Sequence, residues 1–343
     1  MEYTIALMPG DGIGPELTAA TRQVLTAVQR RFPIRLRLAP VEGGDRCAAT
    51  RGVPLPEDTV DVIRTAHACL KGPVGETAAD VIVRLRILFD LYAGIRPLKS
   101  YPNTPAARPD IDLLFVRENT EDLYKGIEFA VTPATMVALR VITKDACTRI
   151  ARYAFEAARR RRKAWRVTAV HKANVLRKTD GLFVQTCREV ATAYPDVTLD
   201  ELYVDAAAMQ LIKAPQDFDV IVTTNLFGDI LSDEGAMLVG GLGMAPGANI
   251  GDAFALFEPI HGTAPDIAGQ GVANPTSMIL ASALMLDWLG AQHADPACQQ
   301  AARSIEAAVT DALRAGVCTR DLGGTASTAA FGDAVATRVT RKG

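Results

Sequence analysis

Two carboxylates spaced four residues apart are the strongest local indication of chemistry in the sequence. Asp229 and Asp233 follow an apolar run at residues 220–224. A helix would place both on one face, where like charges repel unless a cation lies between them. Hard carboxylate oxygens suit Mg²⁺ or Mn²⁺, which take further oxygens from water and substrate. Taken alone, the fragment fits a metal site and also a solvated acidic face near a helix N-terminus.

A third acid, Asp205, closes the short run at residues 202–205, which we interpret as the end of a strand. A turn or capping residue is the alternative interpretation for this position. The chain has four histidines and no H-x-x-x-H pair. We therefore expect any metal site to be rich in oxygen ligands rather than zinc-like.

Three arginines stand at the ends of predicted segments: Arg86, Arg96 and Arg117. Arg117 directly follows an apolar strand, where a guanidinium usually pairs with an internal acid or binds a ligand carboxylate with two parallel hydrogen bonds. Each arginine taken singly is explained by a structural role. Together, beside a metal held by carboxylates, they would suit a substrate that carries two or three carboxylates.

Lys172 and Tyr124 are the candidate proton-transfer residues. Lys172 follows a predicted strand, and a lysine near other cations or a metal can act as a base. Tyr124, in a polar segment after Arg117, is a possible proton donor. A tyrosine considered alone more often packs in the core with its hydroxyl hydrogen-bonded.

The elements that must position these residues are short β-rich runs alternating with Ala-rich helical patterns. The predicted strands span residues 3–8, 112–116, 166–171 and 220–224, and the predicted helices span residues 14–31, 144–162, 182–193, 228–239 and 275–289. Such alternation predicts an α/β fold with a largely parallel sheet. Turn-rich breaks at residues 96–110 and 240–251 could mark where the chain leaves one domain and returns.

Two glycine-rich runs resemble phosphate loops only superficially. Residues 10–14 read Gly-Asp-Gly-Ile-Gly, but a dinucleotide fingerprint needs a glycine where Pro15 stands. Residues 241–243 fail in the same way because of Pro246. We conclude that a nucleotide, if one binds, does so by another route.

Composition excludes several classes of protein. The chain has 343 residues, 49% hydrophobic and 22% charged, which suits two domains or one large α/β unit with an insertion. A net charge of −2 gives no indication of nucleic-acid or membrane binding, and the basic run at residues 159–163 fits a helix C-terminus. Six scattered cysteines, no signal peptide and no membrane-length apolar run predict a soluble, cytoplasmic protein.

Five strings resemble one family in the same order along almost the whole chain. They are PGDGIGPE (9–16), VRENTEDLY (116–124), HKAN (171–174), TTNLFGDILSD (223–233) and FEPIHGTAPDIAG (257–269). The family is that of the β-decarboxylating dehydrogenases, which act on isocitrate, homoisocitrate or 3-isopropylmalate. The resemblance implies a two-domain α/β fold with a large mixed sheet that is not a Rossmann fold. Residues 1–94 and 245–343 would form the large NAD-binding domain, and residues 95–244 the small domain.

The resemblance also implies a homodimer with shared active sites. The small domain would carry the dimer interface, with an intersubunit arm near residues 126–140. Lys172 and Asp205 would enter the partner's site, whereas Asp229 and Asp233 would stay in their own.

The same resemblance implies a role for each candidate residue. The malate carboxylates would be held by Arg86, Arg96 and Arg117, and Mg²⁺ or Mn²⁺ by Asp205, Asp229 and Asp233. The metal would polarise the C2 hydroxyl and its neighbouring carboxylate. Lys172 would take the hydroxyl proton as hydride passes to the nicotinamide, and Tyr124 would protonate the enol left by CO₂ loss.

For the cofactor, the resemblance implies NAD. Its binding residues would be Glu258, His261, Gly262, Thr263, Ala264, Asp266, Asn274 and Asn174. NADP-dependent relatives place Lys-Tyr where this chain has Asp266-Ile267. The carboxylate of Asp266 would accept hydrogen bonds from ribose hydroxyls and repel a 2′-phosphate.

The third group on C3 of the malate is the point on which the resemblances disagree. Isopropylmalate enzymes place two leucines where this chain has Ile82 and Val83, and homoisocitrate enzymes place an arginine at Val83. Residues 117–121 (RENTE) resemble isocitrate and homoisocitrate enzymes. We expect an anionic third group, as in isocitrate or homoisocitrate. A phosphonate analogue would have Arg84 or Thr77 as candidate partners.

Two alternatives stay open at this point. One is a dehydrogenase of the 3-isopropylmalate type, with an apolar third group. The other is a non-catalytic regulatory subunit of an isocitrate dehydrogenase, which should have lost metal ligands or the Lys–Tyr pair.

Overall fold

The computed structural model describes residues 1–341 and consists of strands and helices in near-regular alternation. The strands are β1 Glu2–Met8, β2 Arg35–Pro40, β3 Ala68–Lys71, β4 Ala93–Lys99, β5 Asp112–Glu118, β6 Glu128–Thr132, β7 Thr135–Ala138, β8 Arg166–His171, β9 Thr198–Tyr203, β10 Val220–Thr223, β11 Pro246–Ile250 and β12 Ala255–Pro259. The helices are α1 Gly14–Arg31, α2 Asp45–Arg51, α3 Glu57–Thr65, α4 Arg84–Leu88, α5 Lys144–Arg161, α6 Thr179–Ala191, α7 Val204–Lys213, α8 Asn225–Leu238, α9 Thr276–Gln292, α10 Pro296–Arg314 and α11 Thr328–Thr340. Among these helices, none combines the length and the apolar character that crossing a bilayer requires.

Within residues 1–341, ten strands form one mixed sheet in the order β2-β1-β3-β12-β11-β4-β5-β10-β8-β9. The outer strands pair in parallel, whereas β11 runs antiparallel to both β12 and β4, and β4 runs antiparallel to β5. This confirms the predicted α/β class and the large mixed sheet. The predicted strands and helices recur with ends shifted by a few residues, as helix α8 illustrates by beginning at Asn225 rather than at 228.

One predicted boundary is wrong in a way that matters for the site. Asp205 does not end a strand, because β9 stops at Tyr203 and Asp205 lies in the first turn of α7. A carboxylate is favoured there by the positive end of the helix dipole.

Alternation along β5 decides which face of the sheet carries the polar residues. Leu114 and Val116 belong to the largest hydrophobic cluster, whereas Leu113 and Phe115 belong to a smaller one beneath α7 and α8. Because side chains alternate along a strand, Arg117 shares the face of Phe115. A second small cluster, beneath α3 and α4, covers the β1–β3 end of that same face.

The predicted domain boundaries coincide with two neighbouring strands at the centre of the sheet. β4 begins at Ala93 and β11 at Pro246, and the two pair directly. The sheet is therefore continuous across both boundaries. The division into domains at 94/95 and 244/245 stays a prediction.

Candidate active site

Helix α8 presents two carboxylates to one arginine. Asp229 and Asp233 lie one helical turn apart, and the guanidinium of Arg96 on β4 bridges them. Its Nη2 lies 2.9 Å from Oδ1 of Asp229, and its Nη1 lies 2.8 Å from Oδ1 of Asp233. The Arg96 Nη1 also donates to the hydroxyl of Ser232 at 2.6 Å.

Arg117, at the end of β5, is the most deeply buried cation of the site, with 1% of its side chain exposed. It donates to Oδ1 of Asp229 and, from Nε and Nη2, to Oδ1 of Asn225 at 3.0 and 2.6 Å. A Cβ at position 228 would lie 2.6 Å from Cγ of Arg117, so only Gly228 leaves room for this side chain. Burial, together with repulsion from Arg96 and Arg86, lowers the pKa of Arg117 to about 9. The cleft therefore favours an anion.

Arg86, on α4, belongs to a buried polar network at the base of the cleft. Its Nε donates to Oδ1 of Asn249 at 2.8 Å, and its Nη2 lies 3.8 Å from Oε1 of Glu258. Glu258 also pairs with Lys71 at 2.8 Å and accepts from Nδ2 of Asn249 at 2.7 Å. Burial lowers the pKa of Arg86, so an additional anion near it would be stabilising.

Tyr124 is joined directly to the acidic pair. Its hydroxyl donates to Oδ2 of Asp229 at 2.5 Å, and the guanidinium of Arg117 lies 5.0 Å from the centre of its ring. Burial raises the pKa of Tyr124, which keeps the phenol protonated. Burial alone would raise the pKa of Asp229, but Arg117 and Arg96 outweigh it and lower that pKa to about 2. Burial raises the pKa of Asp233, against the opposing effect of Arg96.

Lys172 and Asp205 form a separate pair. The Lys172 ammonium donates to Oδ1 of Asp205 at 2.6 Å, and the Asp205 side chain is 64% exposed. Neither residue lines the cleft that holds the other candidates. The structure thus divides the predicted catalytic and metal residues into two groups within one chain.

The first group lines a cleft of about 380 Å³. It includes the three predicted arginines, Tyr124, Asp229 and Asp233, with Ile82, Val83 and Ala78 along one wall. A second cavity of about 660 Å³ shares His261 and Gly262 with this cleft and extends to Ala264, Asn274 and Asp321. The two cavities together offer one long site whose two halves meet at His261.

The second cavity is bordered by polar groups, one of which has no partner within the described part of the chain. The Nε2 atom of His261 is buried and has no hydrogen-bond partner within residues 1–341. Burial lowers the pKa of His261, which favours the neutral ring. Nδ2 of Asn274 donates to Asp321 at 2.9 Å, and Asp266 is exposed in a short 3₁₀ turn nearby. Thr263 contributes its carbonyl to the backbone N–H of Ile13, and Asn174 lies exposed beside Lys172.

The glycines of residues 10–14 bring three loops together rather than surround a phosphate. Gly10 and Gly12 both have positive φ, at +72° and +55°. A Cβ on Gly10 would lie 2.0 Å from the carbonyl oxygen of Pro73, and one on Gly12 would lie 2.1 Å from that of Thr263. The first glycine motif therefore packs the loop after β1 against the loop after β12, which contains Thr263, and against the loop after β3.

The four candidate residues for binding a third substrate group lie in two different places, two in the cleft and two outside it. Ile82 and Val83 line the cleft. The Thr77 hydroxyl instead donates to Asp45 at 2.7 Å, and Arg84 donates to Glu57 and to the carbonyl of Leu55. Neither Thr77 nor Arg84 lines the cleft.

Sequence reasoning missed the polar residues beneath the arginines. Lys71 ends strand β3, and its position directly after an apolar run was an available signal. Asn249 lies in β11, within a stretch that its glycines made look like a linker. Asn119 donates to Asn249 at 2.9 Å, which links the end of β5 to this network.

The donor set can be compared with what Mg²⁺ or Mn²⁺ requires. No group of three or more His, Cys, Asp or Glu side chains comes together within residues 1–341, because Asp205 lies with Lys172. Asp229 and Asp233 nevertheless supply two carboxylates on one helix face beside a cleft. One or two carboxylates plus substrate oxygens are the usual protein ligation of Mg²⁺, so the residues present fit the metal.

The fold and the cleft define an α/β protein with a cationic site for an anionic small molecule, and comparison with known proteins shows that it is an oxidoreductase that acts on a CH–OH group. The chain belongs to the isocitrate/isopropylmalate dehydrogenase family, which it matches over residues 4–335.

Individual relatives are similar along nearly the whole chain. A 3-isopropylmalate/3-methylmalate dehydrogenase from Methanocaldococcus jannaschii is 49% identical over 340 residues, covering 98% of this chain and 99% of that protein. An isocitrate/homoisocitrate dehydrogenase from Thermus thermophilus is 48% identical over 342 residues, covering 98% of each. The crystal structure of isocitrate dehydrogenase from Methylococcus capsulatus has a TM-score of 0.92 at 44% identity, covering 99% of this chain and 100% of that one. Overall identity is therefore a poor guide to the substrate.

Proposed function

We propose that this protein catalyses the NAD-dependent, Mg²⁺- or Mn²⁺-dependent oxidative decarboxylation of a malate with an apolar substituent on C3. The observation that carries the proposal is the convergence of Arg86, Arg96 and Arg117 on a cleft that also holds Asp229 and Tyr124. The cleft is lined by four cations (these arginines and Lys71) and three carboxylates (Asp229, Asp233 and Glu258), so it keeps a net positive charge. The remaining positive charge suits the two carboxylates of a malate.

The cofactors would be held by different parts of the site. The metal would be held by Asp229 and Asp233 of one chain together with Asp205 of the partner subunit. The cavity beyond His261 would hold the adenosine half of NAD. When bound, the metal would polarise the C2 oxygen and NAD⁺ would accept the hydride from C2. The exposed carboxylate of Asp266 favours ribose hydroxyls over a 2′-phosphate.

The protein's own residues would orient the substrate and move two protons. The arginines fix the malate carboxylates, so that C2 and C3 have one orientation in the cleft. Lys172 of the partner subunit would remove the proton of the C2 hydroxyl. Tyr124 would deliver its phenolic proton to C3 after CO₂ leaves, and its hydrogen bond to Asp229 orients that hydroxyl.

Dimerisation would bring Lys172 and Asp205 to the site that they do not reach in their own chain. Exposed apolar side chains occur on two parts of the small domain. The β6–β7 hairpin carries Phe129, Val131 and Met136, and helices α7 and α8 carry Met209, Ile212, Ile230 and Met237. Groups of exposed apolar side chains are typical of protein interfaces, which supports the proposed homodimer and the intersubunit arm.

The wall of the cleft favours an apolar third group over the anionic one first expected. Ile82 and Val83 line the cleft, whereas the two polar candidates, Thr77 and Arg84, are hydrogen-bonded elsewhere. An anionic group against this wall would lose water without gaining a partner. The relative from M. jannaschii is named for 3-isopropylmalate and 3-methylmalate and the one from T. thermophilus for isocitrate and homoisocitrate, so the proposal depends on the wall of the cleft rather than on identity.

Two further features bear on the proposal. A regulatory subunit is disfavoured, because the predicted metal ligands and the Lys–Tyr pair are all present.

All six cysteines are free and buried. This supports the proposed cytoplasmic location, because thiols stay reduced there.

A substrate panel tests the proposal. Purified protein with Mn²⁺ and NAD⁺ is assayed for NADH formation on 3-isopropylmalate, 3-methylmalate, isocitrate, homoisocitrate and malate. We expect kcat/KM to be at least about tenfold higher for an alkylmalate than for either tricarboxylate. A preference for isocitrate or homoisocitrate would overturn the apolar assignment, and no turnover on any of the five would overturn the function.

A further inference from the structure

Arg140, two residues after the end of the β6–β7 hairpin, lies between two carboxylates that are completely buried. Its Nε and Nη2 donate to Oδ1 and Oδ2 of Asp122 at 2.6 and 3.1 Å, and its Nη1 donates to Oδ1 of Asp180 at 2.5 Å. The side chains of both aspartates are 0% exposed, and that of Arg140 is 13% exposed. The function proposed above assigns no role to these three residues.

Asp180 connects Arg140 to the candidate base. Its Oδ2 accepts a hydrogen bond from the backbone N–H of Lys172 at 2.5 Å. Asp180 lies in the first turn of α6, whereas Lys172 follows β8. The carboxylate therefore fixes the point at which the Lys172 side chain leaves the backbone.

Asp122 connects Arg140 to the candidate proton donor. It caps the 3₁₀ turn Leu123–Lys125, which contains Tyr124, by accepting from the backbone N–H of Leu123 at 2.9 Å. Its φ of +69° is rare for a residue other than glycine. Strain of this kind persists only where surrounding contacts hold it, and Arg140 provides two of those contacts.

A third set of contacts reaches the helix that carries the metal ligands. Nη2 of Arg140 donates to the hydroxyl of Thr224 at 2.6 Å, and Oδ2 of Asp122 accepts from the backbone N–H of Leu226 at 3.2 Å. The guanidinium also lies 4.8 Å from the centre of the Phe227 ring. These contacts hold the first turn of α8, one turn before Asp229.

We propose that Arg140 is a positioning residue that sets the base, Lys172, in a fixed relation to Tyr124 and to the first turn of α8. This inference rests on the proposed function, which assigns proton transfer to Lys172 and Tyr124. Because Lys172 would act in the partner's site and Tyr124 in its own, Arg140 would also link the geometry of the two active sites of a dimer.

The geometry requires an arginine rather than any cation. A guanidinium presents a planar set of donors, so it can pair with Asp122 through two bonds while it also reaches Asp180 and Thr224. A lysine ammonium would keep the positive charge between the two carboxylates but could not make all these bonds at once. Arg140→Lys therefore removes the positioning while it avoids leaving two buried carboxylates without a cation.

The test compares Arg140→Lys with Arg159→Lys in the full-length enzyme. Arg159 is a control that is matched in geometry but more exposed, because it pairs with Asp196 through two bonds at 2.9 and 2.5 Å and lies 4.5 Å from the centre of the Tyr194 ring. Both substitutions thus lose a bidentate pair and an aromatic contact. The readouts are kcat, the KM values for both substrates, the melting temperature, and the solvent deuterium isotope effect on kcat.

We expect Arg140→Lys to lower kcat at least about tenfold, because displacement of a reacting group by about 1 Å costs up to about a hundredfold. KM should change less than about twofold, since the arginines that bind substrate are untouched. The solvent isotope effect should increase as proton transfer becomes slower. Arg159→Lys should match the wild type in kcat and in isotope effect.

Several results would overturn the inference. These are a kcat for Arg140→Lys within about twofold of the wild type, a loss of kcat with no increase in isotope effect, or an equal loss in Arg159→Lys.

If Arg140→Lys does not fold, Thr224→Val tests the contact between Arg140 and Thr224 without disturbing buried charge. A roughly threefold lower kcat with a larger isotope effect supports the inference, and wild-type values overturn it. An inactive wild type would instead refute the proposed function, so the two failures are distinguishable.

Discussion

The hydroxyl of Tyr124 donates to Oδ2 of Asp229 across 2.5 Å, which joins the candidate proton donor to a candidate metal ligand within one chain. The two residues come from different segments, a 3₁₀ turn after β5 and the second turn of α8. Their contact means that the position of the phenol depends on the same carboxylate that would bind the metal. Under the proposed function, protonation of the product and binding of the metal would therefore be coupled geometrically.

Loss of this phenol should affect a late step more than substrate binding. We expect Tyr124→Phe to lower kcat by about a hundredfold or more, as is usual for loss of a general acid, with KM for the hydroxy acid changed only slightly. Steady-state NADH formation measures both constants. Tyr101→Phe removes another partly buried phenol that lies outside this cleft and should leave kcat unchanged. Equal effects of the two substitutions would contradict the role of Tyr124.

The apolar wall makes a prediction about selectivity. Val83→Arg should shift the ratio of kcat/KM for homoisocitrate over 3-isopropylmalate upward by at least about tenfold, because a buried cation is then available to a third carboxylate. Competition assays with both substrates measure the ratio directly. Arg84→Ala is the control, since Arg84 pairs with Glu57 outside the cleft. A ratio that responds to Arg84→Ala would show that Arg84, rather than the apolar wall, determines the substrate.

Much of this arrangement follows from local sequence rules, and the rest does not. Arg117 could be placed at a strand end from the apolar run before it, and Asp229 and Asp233 on one face from their spacing. The direction in which the Arg84 side chain points could not be predicted from the sequence. Residues 79–83 form a π-helix immediately before α4, and this π-helix changes the angular phase between Thr77 and Arg86. The Arg140 network joins residues 40 and 84 positions apart, and no periodicity connects such residues.

The acid response of the metal-free protein should depend on Asp229. Its pKa is lowered to about 2 from the ordinary value of 3.8, so its pairing with the arginines stabilises the fold above about pH 4 and is lost as pH falls towards 2. Asp229→Asn should therefore reduce the free energy of unfolding most above pH 5, with a difference from wild type that shrinks as pH falls. Urea titrations with a chelator present measure it. Asp61→Asn, in an exposed pair with Arg64, should show little difference at any pH.

Cofactor choice should reverse with two substitutions in the loop beyond His261. Asp266→Lys with Ile267→Tyr removes the carboxylate that would repel a 2′-phosphate and adds a cation that would bind it. We expect the ratio of kcat/KM for NADP over NAD to rise by at least about a hundredfold. Asp252→Lys, in a different cavity that shares no lining residue with the one beyond His261, controls for the change in net charge. An unchanged ratio in the double variant would exclude Asp266 from ribose recognition.

The shared site predicts complementation between two inactive variants. Lys172→Met and Asp229→Asn should each be inactive as homodimers. After the two are unfolded and refolded together, about half of the dimers would contain both variants, each with one intact site. About a quarter of wild-type activity should therefore return. If the mixture stayed inactive while both variants refolded to native dimers, Lys172 and Asp229 would have to serve the same chain's site.

The most direct test of the proposed function asks whether turnover depends on a divalent cation bound by Asp229 and Asp233 of α8. NADH formation from the best substrate is followed while Mn²⁺ is titrated into chelator-treated wild type, Asp229→Asn and Asp233→Asn. We expect no turnover in wild type without metal, saturable activation with it, and at least about a hundredfold lower kcat/KM in both variants. Full turnover in the chelated wild type, or in folded Asp229→Asn and Asp233→Asn, would contradict it.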